Sequence, residues 1–351
     1  MSGTSLDGID AALIRSDGRR QVETGPSLTV SYDPDFRARL RGVLGGRGAV
    51  AEVARELTLR HAQAVRDLLA RADMAAGEVA VIGFHGHTVL HEPQAGRTLQ
   101  IGDGALLAAE TGIDVINDFR NNDMATGGQG APFAPLYHAA RAAELDKPMA
   151  VLNLGGVGNL TWLGADEEVL AFDTGPGNAL IDDWAERHTG KSRDQDGAMA
   201  GAGTVDDKAL AALMAHPYFQ EPPPKSLDRD AFDPRPVAGL SAVDGAATLT
   251  AFTAASVAAA LAHLPAPPRR WLVTGGGRHN PTLMAALAER LAVPVEPVEA
   301  VGWDGDALEA QAFAYLALRS LEGLPLSLPS TTGAKHPATG GVLHRAKARQ
   351  A

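Results

Sequence analysis

The 351-residue chain contains no cysteine, which excludes disulfides and thiolate metal sites and fits a reducing compartment. It is short of positive charge: 31 Lys and Arg against 42 Asp and Glu give 31 − 42 = −11, so broad binding to nucleic acid or an anionic membrane is not expected. No charged region followed by an apolar one opens the chain, so no secretory leader is expected. No stretch approaches the roughly 20 apolar residues of a membrane span. Together these absences point to a soluble, cytoplasmic protein. They leave nucleotide binding open, because that needs local backbone donors and Mg²⁺ rather than net charge.

Several familiar motifs are also missing. Gly3-Thr4-Ser5-Leu6-Asp7-Gly8 lacks the Gly-Lys-Ser/Thr ending of a Walker A loop. Gly155-Gly156-Val157-Gly158-Asn159 lies between two strand patterns, whereas the glycines of a dinucleotide fingerprint open a helix. His85 and His87 have no third ligand at metal spacing, and His91 does not complete a site. They read as a polar loop at a strand end, where contact with substrate stays open because such loops face the ligand crevice of α/β sheets. Arg193-Asp194-Gln195-Asp196-Gly197 lacks the later Glu of a calcium loop.

What is present is an alternation of strand and helix patterns long enough for two domains. Residues 10–14 and 27–32 read as strands joined by turns. Residues 37–44 and 50–72 show helical spacing, the second with a stripe of Val53, Leu57, Leu59, Ala62, Val65, Leu68 and Leu69. Short strands are expected at 79–84, 99–101 and 115–116, with a helix at 105–111. A second unit begins with strands at 149–154, 160–163 and 169–172. A helix follows from Asn178, then an Ala-rich core helix over 246–264, a buried strand at 271–273, a helix opened by Pro281 and another over 307–321. Residues 126–132, rich in glycine, suit either a loop that approaches a ligand or an interdomain connector. The tail from Leu324 is expected to fray.

Glycine-rich turns stand at strand ends three times, near Gly3 to Gly8, at Gly155 and Gly156, and at Gly275, Gly276 and Gly277. Glycine permits close backbone approach, so such turns can wrap N–H groups around phosphate oxygens. Asp7 sits at the centre of the first, where it can hold Mg²⁺ through oxygen or water. Taken singly, that stretch reads equally as a hairpin turn. Three such turns in two related halves, with Asp7 and Asp173 at strand ends, favour a nucleotide.

The stretches Met1-Ser-Gly-Thr-Ser-Leu-Asp-Gly8, Asn117-Asp-Phe-Arg120, Gly127-Gly-Gln-Gly-Ala-Pro132, Asn153-Leu-Gly-Gly-Val-Gly-Asn159, Phe172-Asp-Thr-Gly-Pro-Gly-Asn178 and Thr274-Gly-Gly-Gly277 resemble the signatures of the anhydro-N-acetylmuramic acid kinases. They run in family order across nearly the whole chain. The resemblance implies an α/β fold of the two-domain actin-like ATPase (ribonuclease H-like) type with an interdomain ATP cleft, residues 1–133 with part of 305–351 forming one domain and 134–304 the other. It also implies ATP- and Mg²⁺-dependent opening of a 1,6-anhydro sugar in cell-wall recycling, with phosphorylation of the 6-oxygen, by a homodimer.

That reaction needs a carboxylate base near the attacking water, donors and Mg²⁺ on the phosphates, and a cation for the sugar's lactyl carboxylate. Asp173 is expected as the base with Asp182 as runner-up, unless Asp173 merely caps the helix from Asn178. Arg120 is expected on the lactyl group, or else in a structural ion pair. Gly3, Thr4, Ser5, Leu6, Asp7, Gly8, Ile9 and Asp10, with Gly155 and Gly156, are expected around the phosphates, Asp7 on the metal, and Gly275, Gly276 and Gly277 against adenosine. His87, Asn178 and Glu309 are candidates for the sugar, with a solvated helix face as the alternative for Glu309. In the family a short hydrophobic strand precedes the first glycine loop, whereas here Met1 begins inside the turn. Residues 10–14 are therefore expected to lack a partner, and this chain to be less stable and a poorer ATP binder than one extended upstream.

Overall fold

The computed structural model describes residues 1–3 and 6–346 and separates the chain into two compact units. The first joins residues 1–144 to the segment from Asp306, and the second is residues 145–305. The first unit thus runs eleven residues past the expected boundary at 133, because the helix Pro135–Arg141 belongs to it: Tyr137 is fully buried and donates its hydroxyl to Gln311 Oε1 at 2.8 Å. Residues 126–132 fall wholly inside this unit, which removes the connector alternative for that loop.

Among the described residues the strands are β1 (Gly8–Ser16), β2 (Val22–Ser31), β3 (Ile82–Gly83), β4 (His87–Glu92), β5 (Arg97–Ile101), β6 (Val115–Asn117), β7 (Met149–Leu154), β8 (Val157–Leu163), β9 (Val169–Pro176), β10 (Trp271–Thr274), β11 (Val295–Pro297) and β12 (Val342–His344). In the second unit they form one sheet in the order β11-β10-β7-β8-β9. β7, β8 and β9 are an antiparallel meander, while β10 and β11 run parallel to β7. Counted within the unit the order is 3-2-1-4-5 with the second strand reversed, the ribonuclease H-like arrangement that an actin-like ATPase half requires. β7 reads Met-Ala-Val-Leu-Asn-Leu because a central strand is covered on both faces. Leu152, Trp162, Phe172, Trp271 and Leu287 fill its core.

The helix Ala242–Ala259 starts at Ser241, whose hydroxyl accepts the Asp244 N–H. With the turn that follows, residues 242–263 contain an 18-residue window of mean hydropathy 1.5 and are long and apolar enough to cross a membrane, which the composition alone did not lead us to expect. However, 78% of the qualifying window is buried within the protein, as befits a core helix.

In the first unit, β1 and β2 form a hairpin, β4 and β5 another, and β12-β6-β3 a three-stranded sheet. β1 is paired with β2 along its length. Its other edge meets Met1, whose carbonyl accepts the Asp10 N–H and whose ammonium donates to the Asp10 carbonyl, both at 2.9 Å. Ser2 then bridges to His87. The helix Val50–Arg71 lays Val53, Leu57, Ala62, Leu68 and Leu69 into the core as its stripe requires, with Leu59 and Val65 at the margin. As far as residue 346 the tail does not fray as expected: Ser327, Thr331 and Thr332 are buried, and β12 pairs with β6; residues 347–351 lie outside the described residues.

Candidate active site

Asp173 does not stand at a strand end. β9 continues through it to Pro176; Asp173 pairs with Asn159, and the bulge that follows leaves Thr174 as the extra residue. Its carboxylate does not cap the helix Ala179–Thr189, whose N-terminal residue Asn178 receives no side-chain cap. Instead Oδ2 accepts the Leu227 N–H at 2.8 Å. Burial raises the Asp173 carboxyl to about 7, and the Leu227 N–H opposes that rise. A carboxylate that titrates near neutrality can take a proton from water at physiological pH.

The glycine turns of this unit come together around β9. Asn178 donates its side-chain amide to the Leu154 carbonyl at 2.8 Å and its backbone N–H to the Gly155 carbonyl at 2.7 Å. The Gly177 N–H reaches Gly156. A Cβ at Gly277 would lie 2.5 Å from the Leu154 Cβ, and Gly275 holds φ +76° against Asn153 and Leu154, so those two glycines serve the protein's own packing. At Gly155 and Gly156 a Cβ would meet nothing closer than 3.7 Å. Protein packing therefore does not require glycine there. The Arg229 stem passes 3.9 Å from that Gly156 position, and its guanidinium is held by Asp183 at 2.6 Å. Asp182, in the first turn of the helix, is half-buried and raised to about 6 by burial and by Asp183, against Arg193 and Arg229.

In the first unit, Asp118 adopts φ +55°, a left-handed turn that Asp tolerates, and swings the chain from β6 to Arg120. The Arg120 guanidinium lies 3.0–3.1 Å from His85 Nε2 and donates to the Gly130 carbonyl at 2.8 Å. No carboxylate lies within ion-pair distance of it among the described residues, so the structural ion pair is not made. His85 Nε2 accepts from Arg120 and is therefore neutral, as its lowered pKa, set by burial and the Arg120 charge, requires. Glu309 keeps solvent contact at the start of the helix Leu308–Leu321. Burial raises its pKa, while Arg120 and the Met1 ammonium lower it. Beside His85 a pocket of about 200 Å³ is lined by Gln100, Asn117, Asp118 and Asn121. It lies past the carboxyl ends of parallel β3 and β6, where α/β sheets bind ligands.

Other expected residues sit elsewhere. His87 is fully buried, its Nδ1 3.0 Å from the Ser2 hydroxyl, so it faces the interior rather than a ligand. The Leu6 and Ile9 side chains belong to the core, leaving only their backbone for a phosphate. Gly8 is required by β2, since a Cβ there would fall 2.5 Å from the Val30 carbonyl oxygen. Thr4 and Ser5 lie outside the described residues.

Comparison with known proteins decides the family. The model of the anhydro-N-acetylmuramic acid kinases matches residues 1–346. The chain belongs to this family. Anhydro-N-acetylmuramic acid kinases from Paramagnetospirillum magneticum and Rhodospirillum rubrum are each 60% identical to it, over 98% and 97% of this chain and 98% and 92% of their own. The one from Acidiphilium cryptum is 57% identical over 98% and 97%. Membership makes the chain a phosphotransferase acting on a sugar. Among solved structures, an activator of 2-hydroxyisocaproyl-CoA dehydratase from Clostridium difficile with bound ADPNP aligns over 90% of this chain and 97% of its own at 11% identity, with a TM-score of 0.42.

In this family member three groups escaped sequence reasoning. Leu227 acts through its N–H, which leaves no compositional trace. His85 resembled its neighbour His87; both are buried, and only their partners, Arg120 for one and Ser2 for the other, separate them. Asp123, fully buried, accepts the Gly130 N–H at 2.7 Å and the hydroxyls of Ser327 and Thr332. It thereby fastens the glycine loop that presents the Gly130 carbonyl to Arg120.

Proposed function

We propose that this protein is an ATP-dependent anhydro-N-acetylmuramic acid kinase that opens the 1,6-anhydro ring with water and transfers the γ-phosphoryl group to the 6-oxygen, giving N-acetylmuramic acid 6-phosphate and ADP. The observation that carries the mechanism is Asp173, a half-buried carboxylate raised to about 7 by desolvation and held by the Leu227 N–H. Water attacks the anomeric carbon and gives one proton to Asp173. The bond from that carbon to the 6-oxygen breaks, the 6-oxygen bonds to the γ-phosphorus, and the bond to ADP breaks. Asp182, whose neighbour Asp183 pairs with Arg229, remains the runner-up for the base. Arg120, with a guanidinium that no carboxylate neutralises, binds the lactyl carboxylate. Glu309 and the pocket beside His85 supply partners for the sugar's hydroxyl and amide groups.

In the second unit, Gly155 and Gly156 approach the phosphates, and Gly276, where a Cβ would meet nothing closer than 3.8 Å, approaches adenosine. Burial, and the nearby charges of Asp7 and Asp306, raise the pKa of Asp10, against the Thr29 hydroxyl and the Met1 ammonium. A hard cation would relieve that repulsion, and all the donors are oxygen. No group of three side chains among the described residues chelates a metal, which suits an Mg²⁺ held mainly by water and phosphate. Mg²⁺ would supply charge neutralisation of the phosphates. Dependence on ATP and the absence of cysteine support a cytoplasmic enzyme, the net charge of −11 argues against nucleic-acid or anionic-membrane partners, and the family resemblance suggests a homodimer.

The test is incubation with ATP, Mg²⁺ and the anhydro-sugar, followed by mass analysis. ADP release with a product that has gained both phosphate and one water supports the proposal. Phosphate without water would indicate an ordinary sugar kinase, and binding without ADP release a sensor.

A further inference from the structure

Lys225 carries its ammonium into the second unit, only 7% exposed. No Asp or Glu among the described residues pairs with it. Its partners are the Tyr218 carbonyl at 3.0 Å and His263 Nε2 at 3.4 Å, and it sits 4.5 Å from the Tyr218 ring centre and 5.7 Å from that of Phe172. Burying an ammonium without a counter-ion is unfavourable, so this placement opposes stability unless function requires it.

Lys225 and Asp173 share partners. The Asp173 N–H donates to the Lys225 carbonyl at 3.0 Å, and two residues further on the Leu227 N–H donates to Asp173 Oδ2 at 2.8 Å. Tyr218, whose carbonyl and ring face receive the ammonium, sends its hydroxyl to the Asp173 carbonyl. The four groups close a ring: ammonium to Tyr218, Tyr218 to Asp173, Asp173 to the strap 225–227, and the strap back to its own ammonium. We propose that Lys225 is a positioning residue, locking the 225–227 strap so that the Leu227 N–H aims the Asp173 carboxylate. The proposal rests on Asp173 being the base. The charged and titratable groups around the ring are Asp173 on β9, Tyr218 and Glu221 beside the turn Pro217–Gln220, and His263 after the helix Ala242–Ala259.

The experiment measures kcat and KM for sugar and ATP from pH 5 to 9 for Lys225→Met, Lys225→Arg, Tyr218→Phe and Asp173→Asn in the full chain. Lys225→Met is expected to fold, to keep its KM for ATP within about twofold, and to lose about tenfold or more in kcat, within the range a misplaced base gives. The acidic limb of its kcat profile moves up by about half a pH unit or more, because the carboxylate has lost the N–H that favours its ionised form. Lys225→Arg restores part of the rate, and Tyr218→Phe moves the same limb in the same direction. If Lys225→Met does not fold, Tyr218→Phe decides. An inactive Asp173→Asn beside Lys225 and Tyr218 variants with the parent's kcat and acidic limb overturns the positioning role alone. Normal turnover by Asp173→Asn removes the base assignment, and the positioning role with it.

Discussion

At the scale of single residues, function and stability pull against each other at Asp173. Its carboxyl titrates at about 7 in the fold and at about 3.9 in an unfolded chain. The folded state therefore binds the proton more tightly, and stability falls as pH rises from about 4 to 7, with the full penalty present above 7. Asp173→Asn is expected to raise the melting temperature at pH 8, with the gain shrinking to nothing by about pH 4, while turnover falls by a factor of about 10² to 10⁴. An unchanged melting temperature at pH 8 would mean that the carboxylate is not destabilised by its burial. Arg120 is the corresponding test for substrate. Arg120→Met removes a charged partner with directional donors, worth about 1.5–3 kcal/mol. It should raise the KM for the sugar by about tenfold to a hundredfold with the KM for ATP unchanged; equal rises in both would point to a folding defect.

At the scale of elements, the loop 126–132 depends on a residue outside it. Asp123 receives the Gly130 N–H and two hydroxyls that come from the tail at Ser327 and Thr332. Asp123→Asn presents a donor to at least one of these donors, so we expect a loss of about 1–3 kcal/mol in denaturant unfolding. The KM for sugar should also rise, because the Gly130 carbonyl that steadies Arg120 shifts. A variant with full stability and normal KM would show that the tail and loop are independent. The same contacts explain why the tail escaped prediction. Its composition is that of a loop, and its order comes from hydroxyls and a short strand meeting residues about 200 positions away.

At the scale of the molecule, the two units are built with opposite responses to acid. The first unit buries His61, His85, His87 and His138 in neutral form. Burial holds His87 at about 4 and His138 at about 3, with the pKa values of His61 and His85 also lowered. An unfolded histidine titrates near 6.5, so these sites give their full stability above that pH and lose it as pH falls toward 4. For His87 alone that amounts to about 3 kcal/mol at completion. The second unit carries Asp173 and Asp182, raised to about 7 and 6, and gains stability over the same descent. Hydrogen exchange at pH 5 and pH 7.5, corrected for intrinsic rate, is expected to show protection falling in the first unit and not in the second. Uniform loss across the chain would contradict this.

Much of this was determined by the sequence alone. The apolar runs of β7 and β10, the stripe of residues 50–72 and the glycine turns made the α/β halves and the family legible, because those signals are local and periodic. Asp173 stands out in the chain as a carboxylate next to a glycine-rich turn, although the strand runs on through it to Pro176. Tertiary structure decided which of two neighbouring histidines meets Arg120, that Gly275 and Gly277 serve packing while Gly155 and Gly156 leave room, and that Leu227 and Lys225 hold the base. Each of these depends on what lies within a few ångströms through space, and a backbone N–H or an open volume carries no residue type by which a sequence could announce it.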